Sequence, residues 1–196
     1  MVDLARAAAA IHEGEVVVYP TETVYGLAAD ALSASAVEQV FAVKGRDRSK
    51  PISLAVPDVE TATEYTRPTA QEKRFMNEFL PGPVTVLVEA REAVPDVLTA
   101  GGDQVGIRVP DHPTALALLR EVAPLTATSA NVSGNPSARR VEDVDAAVRE
   151  ASAAVIDGGN ELPGTESTVV DVSEGTIHRR GARADEITAW LDRSEE

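Results

Sequence analysis

Lys44, Arg46, Arg48 and Lys50 put four cations into seven positions of a chain whose formal net charge is -14. Local charge reversal against so acidic a background suits an anionic ligand, because arginine forks give bidentate contacts to phosphate or carboxylate. A solvated charge run is the bland reading of the same residues. The chain spends positive charge sparingly elsewhere, with Lys73 its only other lysine, and this favours the ligand. The four cations follow a predicted helix end, where the dipole is negative and repels an anion, so binding there rests on the side chains themselves. Complementing that dipole accounts for Lys44 and leaves three cations to explain.

Three other sets of residues carry usable groups. Residues 125–131, Leu-Thr-Ala-Thr-Ser-Ala-Asn, read as a strand running into a loop, with small hydroxyls and an amide that can meet a ligand or simply make a turn. Thr21-Glu22-Thr23 and Thr165-Glu166-Ser167 each set a carboxylate between hydroxyls. Two carboxylates suggest a glycosidase pair, but one tryptophan and few other aromatics offer little sugar platform, so hydroxyl recognition or backbone capping fits better. Arg108, Arg179 and Arg180 fall at strand ends, where α/β sheets commonly place ligands. Walker-A, dinucleotide, nucleophile-elbow and zincin sequences are all missing, so a phosphate site must be built another way.

A chain of 196 residues buries one core well, and we expect a single domain over 1–196. No apolar stretch reaches bilayer length, and Arg6, His12 and Glu13 interrupt the alanine-rich start where a signal peptide would be apolar. With no cysteine, disulfide and thiolate chemistry are excluded, and a cytoplasmic location is expected. His12, His112 and His178 lie too far apart in sequence to suggest zinc. The acidity repels nucleic acid and anionic membrane at long range, and suits either high salt or an ordinary acidic cytosolic protein.

The elements alternate to the end. Residues 3–13 read as a helix closed by Gly14, and 16–19 as a buried strand stopped by Pro20. Ser35 and Glu38 make a capping-box signature ahead of Val37, Val40 and Phe41, with Gly45 at the helix end. A strand at 52–56 follows, then a second capping box at Thr69 and Glu72, whose helix ends at Pro81-Gly82-Pro83. Strands are expected at 84–88, 105–109 and 125–129, with Asp111 capping the helix that carries Leu116, Leu119 and Val122. After a polar loop at 131–140 come a helix at 141–150, strands at 153–157, 167–172 and 176–180, and a helix from about 184. The last strands follow one another without a helix, which makes the sheet mixed.

Taken in order, six segments resemble the YrdC/TsaC family of threonylcarbamoyl-AMP synthases. They are the run from Pro20 to Leu27, Lys44-x-Arg46 with Lys50-Pro51, and Pro81-Gly82-Pro83-Val84-Thr85. Gly106-Ile107-Arg108-Val109-Pro110, Ser129-x-Asn131 and Glu166-Ser167-Thr168 complete the set, which spans most of the chain. The resemblance implies an α/β fold, a single-domain twisted open mixed sheet with flanking helices and a large positively charged concave cleft. It implies a reaction in which L-threonine, bicarbonate and ATP, with magnesium and no permanent cofactor, give L-threonylcarbamoyl-AMP and pyrophosphate. A downstream complex then transfers the threonylcarbamoyl group to tRNA. Family members occur with or without an added C-terminal domain, and a chain ending at Glu196 corresponds to the short form.

By the same resemblance, Lys44, Arg46, Ser129 and Asn131 form the catalytic tetrad. Lys44, Arg48, Gln104, Ser129, Ser137 and Arg179 surround ATP, and Thr21, Ser53, Arg108 and Ser167 hold threonine, Arg108 on its carboxylate. Asp47 departs from the family, many of whose members carry proline there, and an acid beside a triphosphate site is unexpected. The chemistry would be positioning and charge stabilisation, with no protein nucleophile. Two other functions remain open: a YciO-like paralogue of different activity, and a module that binds double-stranded RNA or tRNA. The second would show steep salt dependence and no ATP turnover.

Overall fold

A computed structural model describes residues 4–159 and 161–194, so Asp3, the first residue of the expected N-terminal helix, lies outside the described residues. The elements in chain order are α1 (Leu4–His12), β1 (Val17–Tyr19), β2 (Gly26–Ala28), α2 (Ala34–Lys44), β3 (Ser53–Ala55), α3 (Val59–Tyr65) and α4 (Ala70–Phe79). They continue as β4 (Val84–Glu89), α5 (Asp96–Thr99), β5 (Gln104–Arg108), α6 (Pro113–Glu121) and β6 (Leu125–Ser129). A 3-10 turn (Val141–Asp143), α7 (Ala146–Ala151), β7 (Ala154–Val155), β8 (Thr168–Asp171), β9 (Thr176–Arg179) and α8 (Ala184–Ser194) follow.

The strands form one nine-stranded mixed sheet in the order β7-β1-β2-β6-β3-β5-β4-β8-β9. The pairs β1–β7, β3–β5 and β4–β8 are parallel, and the other neighbours are antiparallel. Alternation along the strands gives the sheet two faces. Leu54, Val86, Ile107 and Val170 look toward a core shared with Val37, Val40 and Phe41 of α2, Phe75, Met76 and Phe79 of α4, and Ile187, Trp190 and Leu191 of α8. On the opposite face, Val17, Tyr19, Ala28 and Ala55 pack on Ala7, Ala10 and Ile11 of α1 and Ala115, Leu118 and Leu119 of α6. Those helices cover part of that face. The strand residues that alternate outward beyond them, Ser53, Thr85, Leu87, Gly106, Arg108, Ala127, Ser129 and Val169, border an open cleft instead.

Helix ends explain where the chain turns into the cleft. Gly45 closes α2 in the left-handed region, at φ 54°, with its N–H on Ala42 and Phe41 carbonyls, as expected of a C-terminal glycine. The Thr69–Glu72 capping box is present in both directions, at 2.6 and 3.2 Å. The Ser35–Glu38 box is not formed. Ser33 caps α2, accepting from Ala36 N–H, so Ser35 falls inside the first turn and bonds to Ser33, while Glu38 pairs with Arg48. Likewise His112, not Asp111, caps α6, its Nδ1 accepting from Thr114 N–H at 3.2 Å. The helix expected at 141–150 splits at Val144 into the 3-10 turn and α7, and the strand at 153–157 shortens to two residues. Three further elements, β2, α3 and α5, have no counterpart in the expected pattern. Among the described residues, no helix is long and apolar enough to cross a membrane.

Candidate active site in the open cleft

The cleft has a volume of about 940 Å³. Its floor depends on close approach at Gly106, where a Cβ would come within 2.8 Å of Thr85 Cγ2 and into Ser53 Oγ. Glycine there lets Ser53, Thr85 and Arg108 stand side by side on three adjacent strands.

Lys44 is the most deeply buried cation of the cleft. The last residue of α2, it is only 2% exposed, and its ammonium donates to the carbonyls of Ser129 and Asn131, the latter at 2.7 Å. Lys44 thereby fastens the end of β6 to the end of α2. Burial pushes it down to about 8, with nearby Arg46 adding in the same direction and Glu166 and Asp145 opposing. The Asn131 amide donates to Val132 and Asn135 carbonyls at 2.9 Å each, while its buried Oδ1 has no partner.

Arg46 folds the basic loop back on itself, Nε and Nη2 donating to Lys50 and Pro51 carbonyls at 3.0 and 2.8 Å. Burial holds Arg46 below the usual arginine value, and Arg179 across the cleft adds to the effect. Asp47 accounts for its own presence. Its carboxylate accepts from Ser49 N–H and Oγ at 2.9 Å each, an Asx turn that sets the loop path. Arg48 points away, doubly bonded to Glu38 at 2.5 and 2.9 Å, and does not line the cleft.

Arg108 stands buried among acceptors. One terminal nitrogen donates to Gly82 and Val84 carbonyls, and the other to Glu22 Oε1 at 2.8 Å and Thr23 Oγ1 at 3.3 Å. The Arg108 and Glu22 side chains are 8% and 16% exposed. Burial pushes Arg108 down, and Glu22 and Tyr19 pull it back up. Tyr19 itself is pushed up to about 12 by burial, opposed by Arg108. The second oxygen of Glu22 is buried without a partner. Thr21 is spent locally, donating to Val24 carbonyl at 2.7 Å and accepting from the Thr23 and Val24 N–H groups.

A second carboxylate joins the opposite walls. Glu166 Oε1 accepts from Ser137 Oγ and Oε2 pairs with Arg179 Nη1, each at 2.8 Å. Arg179 also donates to the Ser167 carbonyl and hydroxyl at 3.0 Å each, and Ser167 meets Thr85 Oγ1 at 2.9 Å. Gln104 at the cleft's edge donates to Asp171 at 2.9 Å.

The cleft thus gathers Thr21, Lys44, Arg46, Ser53, Gln104, Arg108, Ser129, Asn131, Ser137, Ser167 and Arg179, and leaves Arg48 outside. It is not uniformly positive. Lys44, Arg46, Lys50, Arg108 and Arg179 are offset in the lining by Asp47, Asp103, Glu166, Asp171 and Glu174. Sequence reasoning did not assign Tyr19, Thr23 or Thr85 to the site, nor pair Glu22 and Glu166 with arginines. The repeated Thr-Glu-Thr/Ser pattern was the available signal for the last two.

A Sua5/YciO/YrdC family model, described as telomere recombination, matches residues 9–181. The threonylcarbamoyl-AMP synthase of Bacillus subtilis is 40% identical over 174 residues, covering 87% of this chain and 50% of that protein. Its human namesake is 36% identical over 202 residues, covering 96% of this chain and 70% of that protein. The crystal structure of P. abyssi Sua5 complexed with L-threonine superposes with a TM-score of 0.85 at 35% identity, covering 94% of this chain and 56% of that one. The chain spans about half the length of the Bacillus and P. abyssi proteins.

Proposed function

The chain belongs to the Sua5/YciO/YrdC family, and on that premise we propose that it makes L-threonylcarbamoyl-AMP and pyrophosphate from L-threonine, bicarbonate and ATP. The observation that carries the reading is the meeting, in one cleft, of Lys44 and Arg46 from the end of α2 and Arg179 from β9 with the strand-end groups of Ser129 and Asn131. That chemistry suits a nucleotide opposite a small polar substrate. The curated relatives carry the synthase name, and the P. abyssi chain was crystallised with L-threonine.

The amine of threonine attacks the carbon of bicarbonate and water departs, giving a carbamate. A carbamate oxygen then attacks the α-phosphorus of ATP, and pyrophosphate leaves. Magnesium arrives on the phosphates as part of the nucleotide substrate. Lys44, Arg46, Ser129 and Asn131 form the reacting corner. Ser137, Arg179 and Gln104 flank the nucleotide, while Ser53 and Ser167 face threonine, and Thr21 and Arg108, whose donors are engaged within the chain, set the shape and charge of the wall it meets. Burial lowers Lys44 to about 8, and arriving phosphate charge favours its charged form. Threonylcarbamoyl transfer to tRNA falls to a downstream complex, and we place the reaction in the cytoplasm.

The test is purified protein with ATP and bicarbonate, scored for pyrophosphate with and without threonine. Release that requires threonine is the expected result. Release indifferent to threonine would point to a YciO-like paralogue of other activity and overturn the assignment.

A further inference from the structure

Glu166 occupies two of the groups a nucleotide would need. Its carboxylate sits between a hydroxyl donor, Ser137, and a guanidinium N–H of Arg179, the arrangement a phosphate oxygen would use. We propose that Glu166 is a specificity-determining residue: it stands in for a phosphate on Ser137 and Arg179, and so selects the magnesium-complexed nucleotide over the free polyanion. This role rests on the nucleotide reading of the cleft.

The surroundings let the carboxylate leave without disturbing its partners. Arg179 stays in place through its two bonds to Ser167, at Nε and Nη2, which leave Nη1 for Glu166 or a ligand. The Glu166 backbone is pinned, its carbonyl accepting from Ala182 N–H at 3.1 Å. Gly181 beside it is packed so closely that a Cβ would come within 2.7 Å of the Ser167 carbonyl carbon. Only the Glu166 side chain has to swing. At 40% and 47% side-chain exposure, Glu166 and Arg179 can both be resolvated as they part, so the exchange is inexpensive.

Selectivity follows from charge. Uncomplexed ATP brings a dense negative charge against Glu166 in a partly desolvated cleft, where repulsion is stronger than in water. With magnesium the nucleotide carries less negative charge, and the displaced carboxylate has a hydrated cation to face. Threonine has no claim on Ser137 or Arg179 Nη1, so its binding lies outside the competition.

The experiment measures ATP affinity by calorimetry, in magnesium and in chelator, for the wild-type chain, Glu166→Gln and Glu166→Ala. Both substitutions should tighten binding of metal-free ATP by about tenfold and of the magnesium complex by under about threefold, shrinking the preference for metal. Threonine affinity should stay constant. Weaker binding of both forms, or an equal change in both, would overturn the role and leave Glu166 as a structural brace. If the wild-type chain binds ATP in neither condition, the nucleotide reading itself falls, and this role with it.

Discussion

Arg108 and Arg179 both enter the cleft, and each arrives with a glutamate from a Thr-Glu-Thr or Thr-Glu-Ser segment already on it. Water separates the two cases. Glu22 and Arg108 are nearly buried, and every terminal N–H of Arg108 is engaged by Glu22, Thr23 or the carbonyls of Gly82 and Val84. Glu166 and Arg179 are about half exposed, and only one nitrogen of Arg179 is committed to the carboxylate. Breaking the first pair strands a charge in a low-dielectric setting, while breaking the second returns two charges to solvent. The same chemical pair is therefore a fixture in one wall and a displaceable occupant in the other.

The largest expected effect is on folding. Glu22→Ala should cost about 3 kcal/mol or more in urea unfolding, because Arg108 would remain buried without its carboxylate. Glu166→Ala should stay within about 1 kcal/mol of the wild type. Equal losses would erase the distinction between the two walls.

How far this was legible from residue order depended on distance along the chain. Local signals worked where the chemistry is local: Gly45 ends α2, Thr69 and Glu72 box the start of α4, and prolines bound the strands. They failed where a distant partner won. The α2 cap falls to Ser33, which leaves Glu38 free to pair with Arg48 outside the cleft that Arg48 was expected to line. The strand β2, only Gly26–Ala28, exists because β1 and β6 flank it, and Gly26 lies against the Tyr19 ring, 2.7 Å from any added Cβ. The Glu22–Arg108 pair spans 86 residues, beyond what spacing can reveal. The resemblance to YrdC/TsaC proteins named most of the cleft residues, with Arg48 the exception, but not the partners that hold each of them in place.

A pH series sharpens the comparison on the nucleotide side. Burial sets Lys44 at about 8, so phosphate binding, which favours the charged amine, should raise that value and draw in a proton. Nucleotide affinity should then fall as pH climbs through about 8, by at most about tenfold per unit, with calorimetric proton uptake above that pH and little below it. Folding responds with the opposite sign: the buried charge is a burden below about 8, and stability from this group rises as pH moves up toward the usual lysine range. A flat affinity profile would remove Lys44 from the phosphate site.

The smallest effect belongs to Arg48. Its exposed pair with Glu38 lies outside the cleft, so Arg48→Ala should leave the unfolding midpoint unchanged and ATP affinity within about twofold. A larger loss of affinity would mean that the basic loop refolds over the nucleotide.

The assignment of the two walls is tested most directly by steady-state pyrophosphate release from Arg108→Lys and Arg179→Lys, measured side by side. Each keeps its charge and loses the guanidinium fork. Crossed effects are expected: the Arg108 variant raises the KM for threonine by about tenfold with ATP little changed, and the Arg179 variant does the reverse. If both variants shift the same substrate's KM, the division of the cleft between threonine and nucleotide is contradicted.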